Sequence, residues 1–122
     1  MKIIVLLAVV GAALTVPIDY YTTADDNLDM KAVVSDSAKL KAMTDCFLDR
    51  GDCDEVTMSY KKILPDSMEH SCTRCNDAQK HLATTYINGL LSNAPADYDS
   101  FLKKFDPDEI YRTKFMEAVK GF

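Results

Sequence analysis

The sequence predicts an all-α domain, and three observations carry that prediction. Apolar residues recur at three- and four-residue spacing in one segment after another, and side chains that cap helix N-termini stand just ahead of several of them. Turn-forming residues are scarce. Beyond residue 17, glycine occurs only at Gly51, Gly89 and Gly121 and proline only at Pro65, Pro95 and Pro107, too few for a sandwich of many short strands.

The elements follow in order. Residues 1–17 hold one charge, Lys2, ahead of an apolar run from Ile3 to Leu14, which is the layout of a secretory signal peptide cut between Ala13 and Pro17. A single domain is then expected over residues 18–122. Tyr20 to Asp29 is polar and reads as an extended arm, with Tyr20 and Tyr21 able to pack inward, before a first helical turn at about Asn27 to Val34. Ser35, Asp36 and Ser37 offer cap oxygens for a second helix running to about Asp49, with Leu40, Met43, Phe47 and Leu48 on one face and Gly51 ending it. Asp54 caps a third helix through Val56, Tyr60, Ile63, Leu64 and Met68, and Pro65 inside that pattern predicts a kink or a break. The fourth helix, about Asn76 to Ser92, carries Ala78, Leu82, Tyr86 and Leu90 beside Ala83, Ile87 and Leu91, a broad face that implies deep burial. Tyr98, Phe101, Leu102 and Phe105 mark a short fifth helix. Asp106 with Pro107 reads as the N-cap and first residue of a sixth, which carries Tyr111 and Phe115.

Charge narrows the function classes. The chain has 14 basic and 19 acidic side chains, and loss of residues 1–17 removes only Lys2, taking the formal charge from −5 to −6. A nucleic-acid binder or a polybasic membrane anchor is therefore not expected. The leading apolar run falls short of the roughly 20 residues a membrane span needs, and no later stretch approaches that length.

The cysteines stand at 46, 53, 72 and 75, a C-x6-C-x18-C-x2-C spacing. An even count behind a signal peptide favours disulfides over thiols. The rival is zinc, since His70 and His81 flank Cys72 and Cys75, but oxidation in the secretory pathway would remove the thiolates. Four cysteines allow three pairings, and residue spacing leaves them open. Closure between nearest neighbours is sterically reasonable at helix ends, each short loop constraining the unfolded chain by about 2 to 2.5 kcal/mol in the loop-entropy picture.

Enzyme signatures are absent: the chain has no G-x-S-x-G, H-E-x-x-H, P-loop or glycine-rich dinucleotide turn. His70 and His81 read as surface side chains, and Asp25, Asp26 and Asp29 as solvated carboxylates, because a calcium loop needs more oxygens at fixed offsets and a glycine. No cofactor is expected. Aromatic and methionine side chains are abundant and serve core packing first, though a hollow core would look the same in sequence.

The cysteine spacing, the arm Tyr21-Thr22-Thr23 followed by Asp26-Asn27-Leu28-Asp29, the Leu64-Pro65-Asp66 step, and Phe105-Asp106-Pro107 ahead of Tyr111-Arg112-Thr113-Lys114-Phe115 together resemble the insect chemosensory proteins, also called OS-D-like proteins. The likeness spans Tyr20 to Phe115. It implies a compact six-helix bundle-like fold with short-range disulfides Cys46–Cys53 and Cys72–Cys75 and an internal apolar channel. It also implies a secreted, non-enzymatic monomer whose partners are small hydrophobic molecules: long-chain fatty acids, alcohols, esters or odorant-like and pheromone-like compounds. Pocket positions carried over by the resemblance are Met43, Phe47, Tyr60, Leu64, Met68, Ile87, Tyr98, Phe101 and Phe115. Three positions depart from the family pattern: Ala24-Asp25 replaces its usual Lys-Tyr, Met43 its frequent second-helix Tyr, and Tyr98 its usual Trp. Asp25 is thereby expected to bias headgroup choice, its carboxylate repelling a fatty acid more than an alcohol or ester. The rival expectation is a secreted helical interaction or signalling protein with a filled core.

Overall fold

The computed structural model describes residues 16–122, so the expected signal peptide lies almost entirely outside the described residues. Six helices and no strand are found among them: α1 Met30–Val34, α2 Ser37–Phe47, α3 Glu55–Glu69, α4 Asp77–Asn93, α5 Pro95–Phe105 and α6 Arg112–Val119. Asp29, Asp36, Asp54 and Asn76 accept hydrogen bonds from the otherwise unpaired N–H groups that open α1 to α4. At α4 the cap is reciprocal, because the Gln79 side chain also accepts from the Asn76 N–H.

Helix α4 is the central member, packing against α1, α5 and α6, while α2 and α3 pack on each other and close the other side. Its contact with α1 is close enough to require glycine. A Cβ at Gly89 would stand 2.4 Å from Val34 Cβ, so only a bare backbone lets the short α1 lie against it. Asn93 then donates to the Val34 carbonyl at 2.8 Å, satisfying an acceptor at the end of α1.

Both disulfides join nearest neighbours, Cys46 to Cys53 and Cys72 to Cys75, each with a Cα–Cα distance of 5.0 Å. All four sulfurs are thus consumed, and no thiolate is left for zinc. The first bridge links the end of α2 to the entry of α3, and the second braces the α3–α4 turn.

Five readings of the sequence are corrected. Helix α2 ends at Phe47, before Gly51. Asp49 takes the left-handed conformation at φ 60° instead, and the Arg50 N–H reaches back to the Asp45 carbonyl at 2.7 Å. Lys61 and Lys104 both pair with the Asp49 carboxylate, holding its carboxyl down at about 2. Pro65 does not break α3, which runs on to Glu69; the residue is exposed, so the Lys61 carbonyl it leaves unpaired lies on the solvent side. Helix α5 starts at Pro95, three residues ahead of its first large apolar side chain, because Pro is suited to the first helical position. Leu91, assigned to the buried face of α4, is 49% exposed and so lies outside that face.

The fifth correction concerns Asp106, which does not open α6. The helix begins at Arg112, and Asp106 is fully buried at the end of α5. Its carboxylate accepts from the backbone N–H groups of Ile110, Tyr111 and Arg112 at 2.9, 3.1 and 3.0 Å and from Arg112 Nε at 2.8 Å. It therefore organises the whole loop and reaches the first turn of α6. Burial pushes this carboxyl up, but the guanidinium and the three N–H donors outweigh it and hold it at about 2.

A carboxyl depressed on folding contributes stability that is present above its ordinary value of 3.8 and is lost as pH falls from there towards about 2. Asp106→Ala is expected to lose about 2 to 3 kcal/mol at neutral pH, since Arg112 and three N–H groups lose one acceptor and Arg112 is partly in water. Urea unfolding of both proteins across an acid series checks this. The gap between them should narrow as the pH falls below about 4.

Candidate functional site

Two helices carry matching stripes. Tyr60, Ile63, Leu64 and Ser67 follow the three-four spacing on α3, and Gln79, Leu82, Ala83 and Tyr86 repeat it on α4. Together with Thr23 from the arm, Met30 from α1, Phe47 from α2 and Phe115 from α6, they enclose a cavity of about 70 Å³. The Cys72–Cys75 bridge forms part of the same wall, and the lining surface is almost wholly carbon.

Behind the wall lies a packed aromatic wedge. The Phe47 and Tyr86 rings meet edge to face at 5.3 Å, and Phe101 contacts Tyr86 at 5.7 Å and Phe105 at 4.8 Å. Tyr86 Oη and Thr44 Oγ1 share a buried hydrogen bond of 2.7 Å, and burial raises the Tyr86 phenol well above its ordinary range.

On the opposite rim the arm is strapped down by polar contacts. The Tyr60 hydroxyl donates to the Asp25 carbonyl, and the Tyr21 hydroxyl donates to Asp66. Gln79 donates to the Tyr21 carbonyl at 2.8 Å and to Asp26 at 3.0 Å. Burial, followed by the neighbouring carboxylates of Asp25, Asp26 and Asp54, pushes the Tyr60 phenol up to about 12. Tyr21 is raised further, by burial and then by Asp66. Asp26 is lowered: burial opposes this, but donors from Thr23, Asn76 and Gln79 prevail.

Of the ligand-binding residues named from the sequence, Phe47, Tyr60, Leu64 and Phe115 line the cavity. Met68, Ile87 and Phe101 are buried but belong to the packed core outside its wall. Met43 is buried beneath a separate surface groove of about 480 Å³ between α1, α2 and the start of α3, whose rim carries Asp29, Lys39, Asp52 and Asp54. Tyr98 is half-buried on α5, away from the wall, and Asp25 meets the cavity only through its backbone contact with Tyr60. The sequence reading did not name Met30, Ile63, Leu82, Ala83 or Tyr86 as wall residues. Their signal was the repeated stripe on α3 and α4, which marks a shared face but not a void in it.

Among the described residues, no group of three or more His, Cys, Asp or Glu side chains is placed to hold a metal ion, and no helix is long and apolar enough to cross a membrane. His70 and His81 are both exposed.

Residues 21–113 match the family described as "Insect pheromone-binding family, A10/OS-D". The chain belongs to this family. Among OS-D relatives, it is 31% identical to ejaculatory bulb-specific protein 3 of Drosophila melanogaster over 121 residues, 99% of this chain and 96% of that protein. It is 32% identical to the allergen Tha p 1 of Thaumetopoea pityocampa over 122 residues, covering 99% and 97% of the two chains. Its backbone superposes with a TM-score of 0.72 on a chemosensory protein in complex with bromo-dodecanol, at 27% identity over 80% of this chain and 97% of that one. An antennal chemosensory protein from the moth Mamestra brassicae gives a TM-score of 0.65 at 26% identity, covering 78% and 88% of the two chains. OS-D proteins are binding carriers and not enzymes.

The buried hydroxyl pair of this OS-D chain offers a test of how its aromatic wedge is held. Thr44→Val leaves the Tyr86 hydroxyl buried without its partner and is expected to cost about 1 to 3 kcal/mol. Replacing both partners, Thr44→Val with Tyr86→Phe, removes the unpaired group and should recover most of that loss. Chemical denaturation of the two single variants and the double variant closes the cycle.

Proposed function

We propose that this protein is a secreted carrier that takes small hydrophobic molecules, such as long-chain alcohols, esters, fatty acids or odorant-like compounds, into the cavity between α3 and α4. The observation that supports this reading best is a carbon-lined cavity with few polar groups, set in a fold that matches a chemosensory protein in complex with bromo-dodecanol. Phe47, Tyr60, Leu64 and Phe115 contact the guest first. Met68, Ile87 and Phe101 meet it as the site enlarges, and Met43 and Tyr98 act from further out.

Enlargement is required. A cavity of about 70 Å³ is below the roughly 150 Å³ that accepts a benzene and far below the 300 Å³ and more of ordinary ligand pockets. Burying about ten methylenes supplies roughly 8 kcal/mol, against an association cost of at least about 4 kcal/mol. Dissociation constants between about millimolar and micromolar follow, the tighter end needing good dispersion contacts with the opened wall.

Displacement of a hydrophobic fluorophore by hexadecanol and hexadecanoic acid provides the test. Both compounds should compete, the alcohol more strongly. Asp25→Asn should raise the relative affinity of the acid a few-fold by removing a negative charge that acts on the Tyr60 phenol. If no apolar probe displaces the fluorophore, the carrier reading loses to one in which the surface of a helical interaction protein does the work. The secreted form begins near Ile18. Intact-mass analysis of the secreted protein should show loss of residues 1–17 and of four hydrogens for the two disulfides.

A further inference from the structure

The surface groove over Met43 is roomier than the cavity. At about 480 Å³ it falls among ordinary ligand sites, roughly 300 to 1,000 Å³, without rearrangement, whereas the cavity holds about 70 Å³. Its floor is largely carbon: Leu28 and Val33 come from the α1 region, Ala42 and Met43 from α2, and Val56 from the first turn of α3. Methionine repacks readily around guests of varied shape.

Charge gathers on the rim. Asp29, Asp52 and Asp54 stand there against Lys39 alone, a formal excess of two negative charges. Two of these carboxylates cap helices, but each cap uses one oxygen. Asp29 Oδ1 accepts from the Ala32 N–H at 3.1 Å and Asp54 Oδ1 from the Thr57 N–H at 2.7 Å, so the second oxygen of each faces no donor among the described residues. None of the ion pairs among those residues engages any of the four rim charges. The bond from Thr57 holds the Asp54 carboxyl below its ordinary range, so it is ionised at neutral pH. The opening N–H groups of α3 offset part of its charge, while Asp52, outside any helix, keeps its own in full. The rim carboxylates are not clustered closely enough to hold a metal ion.

We propose that this groove is a second binding site, separate from the cavity, for amphiphilic cations: the alkyl chain lies on the carbon floor and the ammonium head stands among the rim carboxylates. The proposal does not depend on the carrier reading. An ammonium group would lose its water without gaining a partner in the carbon-lined cavity, whereas in the groove it stays hydrated on one side and meets opposite charge on the other. A fatty-acid headgroup would meet the same rim as a repulsion. Exposed charge pairs are weak singly, so the discrimination is collective and fades as salt screens it.

Calorimetric titration of decylammonium, decanol and decanoate, each below its micelle-forming concentration, tests this. At about 0.01 M salt decylammonium should bind about tenfold more tightly than decanoate, and most of that gap should close at about 1 M. Its binding should shift the NMR methyl signals of Leu28, Val33, Ala42 and Val56. Ala42 is exposed, so Ala42→Phe fills the groove without entering the core and should abolish decylammonium binding. Asp52→Asn combined with Asp54→Asn should weaken it a few-fold, since asparagine still caps α3 but carries no charge. Decanol in the cavity should be indifferent to these substitutions. Decylammonium that binds Ala42→Phe undiminished, or that decanol drives out, sits in the cavity and overturns the proposal. So does a dimer in sedimentation that Ala42→Phe dissolves and decylammonium leaves intact, which would give the groove to a second copy of the chain. If decylammonium behaves as expected and decanol does not bind, the carrier reading fails and this site stands.

Discussion

One buried amide ties the molecule together. The side chain of Gln79 caps α4 through its oxygen and spends both of its hydrogens on the arm, at the Tyr21 carbonyl and at Asp26. It is also part of the cavity wall. An amide placed this deep, 4% exposed, is tolerated only because these groups are paired. The start of the central helix, the course of the arm and the closure of the cavity therefore depend on the same few hydrogen bonds. Asn76 strengthens the arrangement by donating its own amide to Asp26 at 3.0 Å, so one carboxylate gathers both capping residues and Thr23.

From that anchored end, α4 organises the apolar packing. Leu82, Tyr86, Ile87 and Leu90 are buried along it, and Gly89 admits α1 at a distance no side chain would permit. The aromatic wedge of Phe47, Tyr86 and Phe101 then joins α4 to α2 and α5. The division is functional as well as structural. Rings and close backbone contact hold the side of α4 that faces α1, α2 and α5, whereas polar clasps and the edge of the cavity occupy the side that faces the arm.

Much of this was legible in the sequence, and what was not has physical reasons. Helix faces follow from apolar spacing, so the six elements could be placed in order, and Asp36 and Asp54 could be read as caps from their positions ahead of those faces. Asp106 misled because Asp followed by Pro is a good local start signal, while its actual partners are Arg112 and the N–H groups four to six residues on. Asp49 went unnoticed because its left-handed turn is supported by Lys61 and Lys104 from distant helices, and the nearby Gly51 offered a cheaper local explanation. The site was only half legible for a related reason. Phe47, Tyr60, Leu64 and Phe115 were named through the family resemblance; periodicity reports only which side chains face inward, and whether an inward residue meets a void or another side chain is set by the volume of its opposite number. Met68 and Phe101 point inward just as clearly and are packed solid.

The placing of the disulfides has a consequence for how such a chain matures. Each bridge spans only a short interval, with partners 7 and 3 positions apart. Short loops close at the least entropic cost, so the partners that meet most often in an unfolded chain are also the native ones. Of the three pairings open to four cysteines, the two alternatives, one crossed and one nested, would each have to close much longer loops. Oxidation and folding are therefore not in competition. An oxidant can act on the nascent chain early, with little misbridged material to be reshuffled afterwards, and the helices can assemble around corners that are already covalently set.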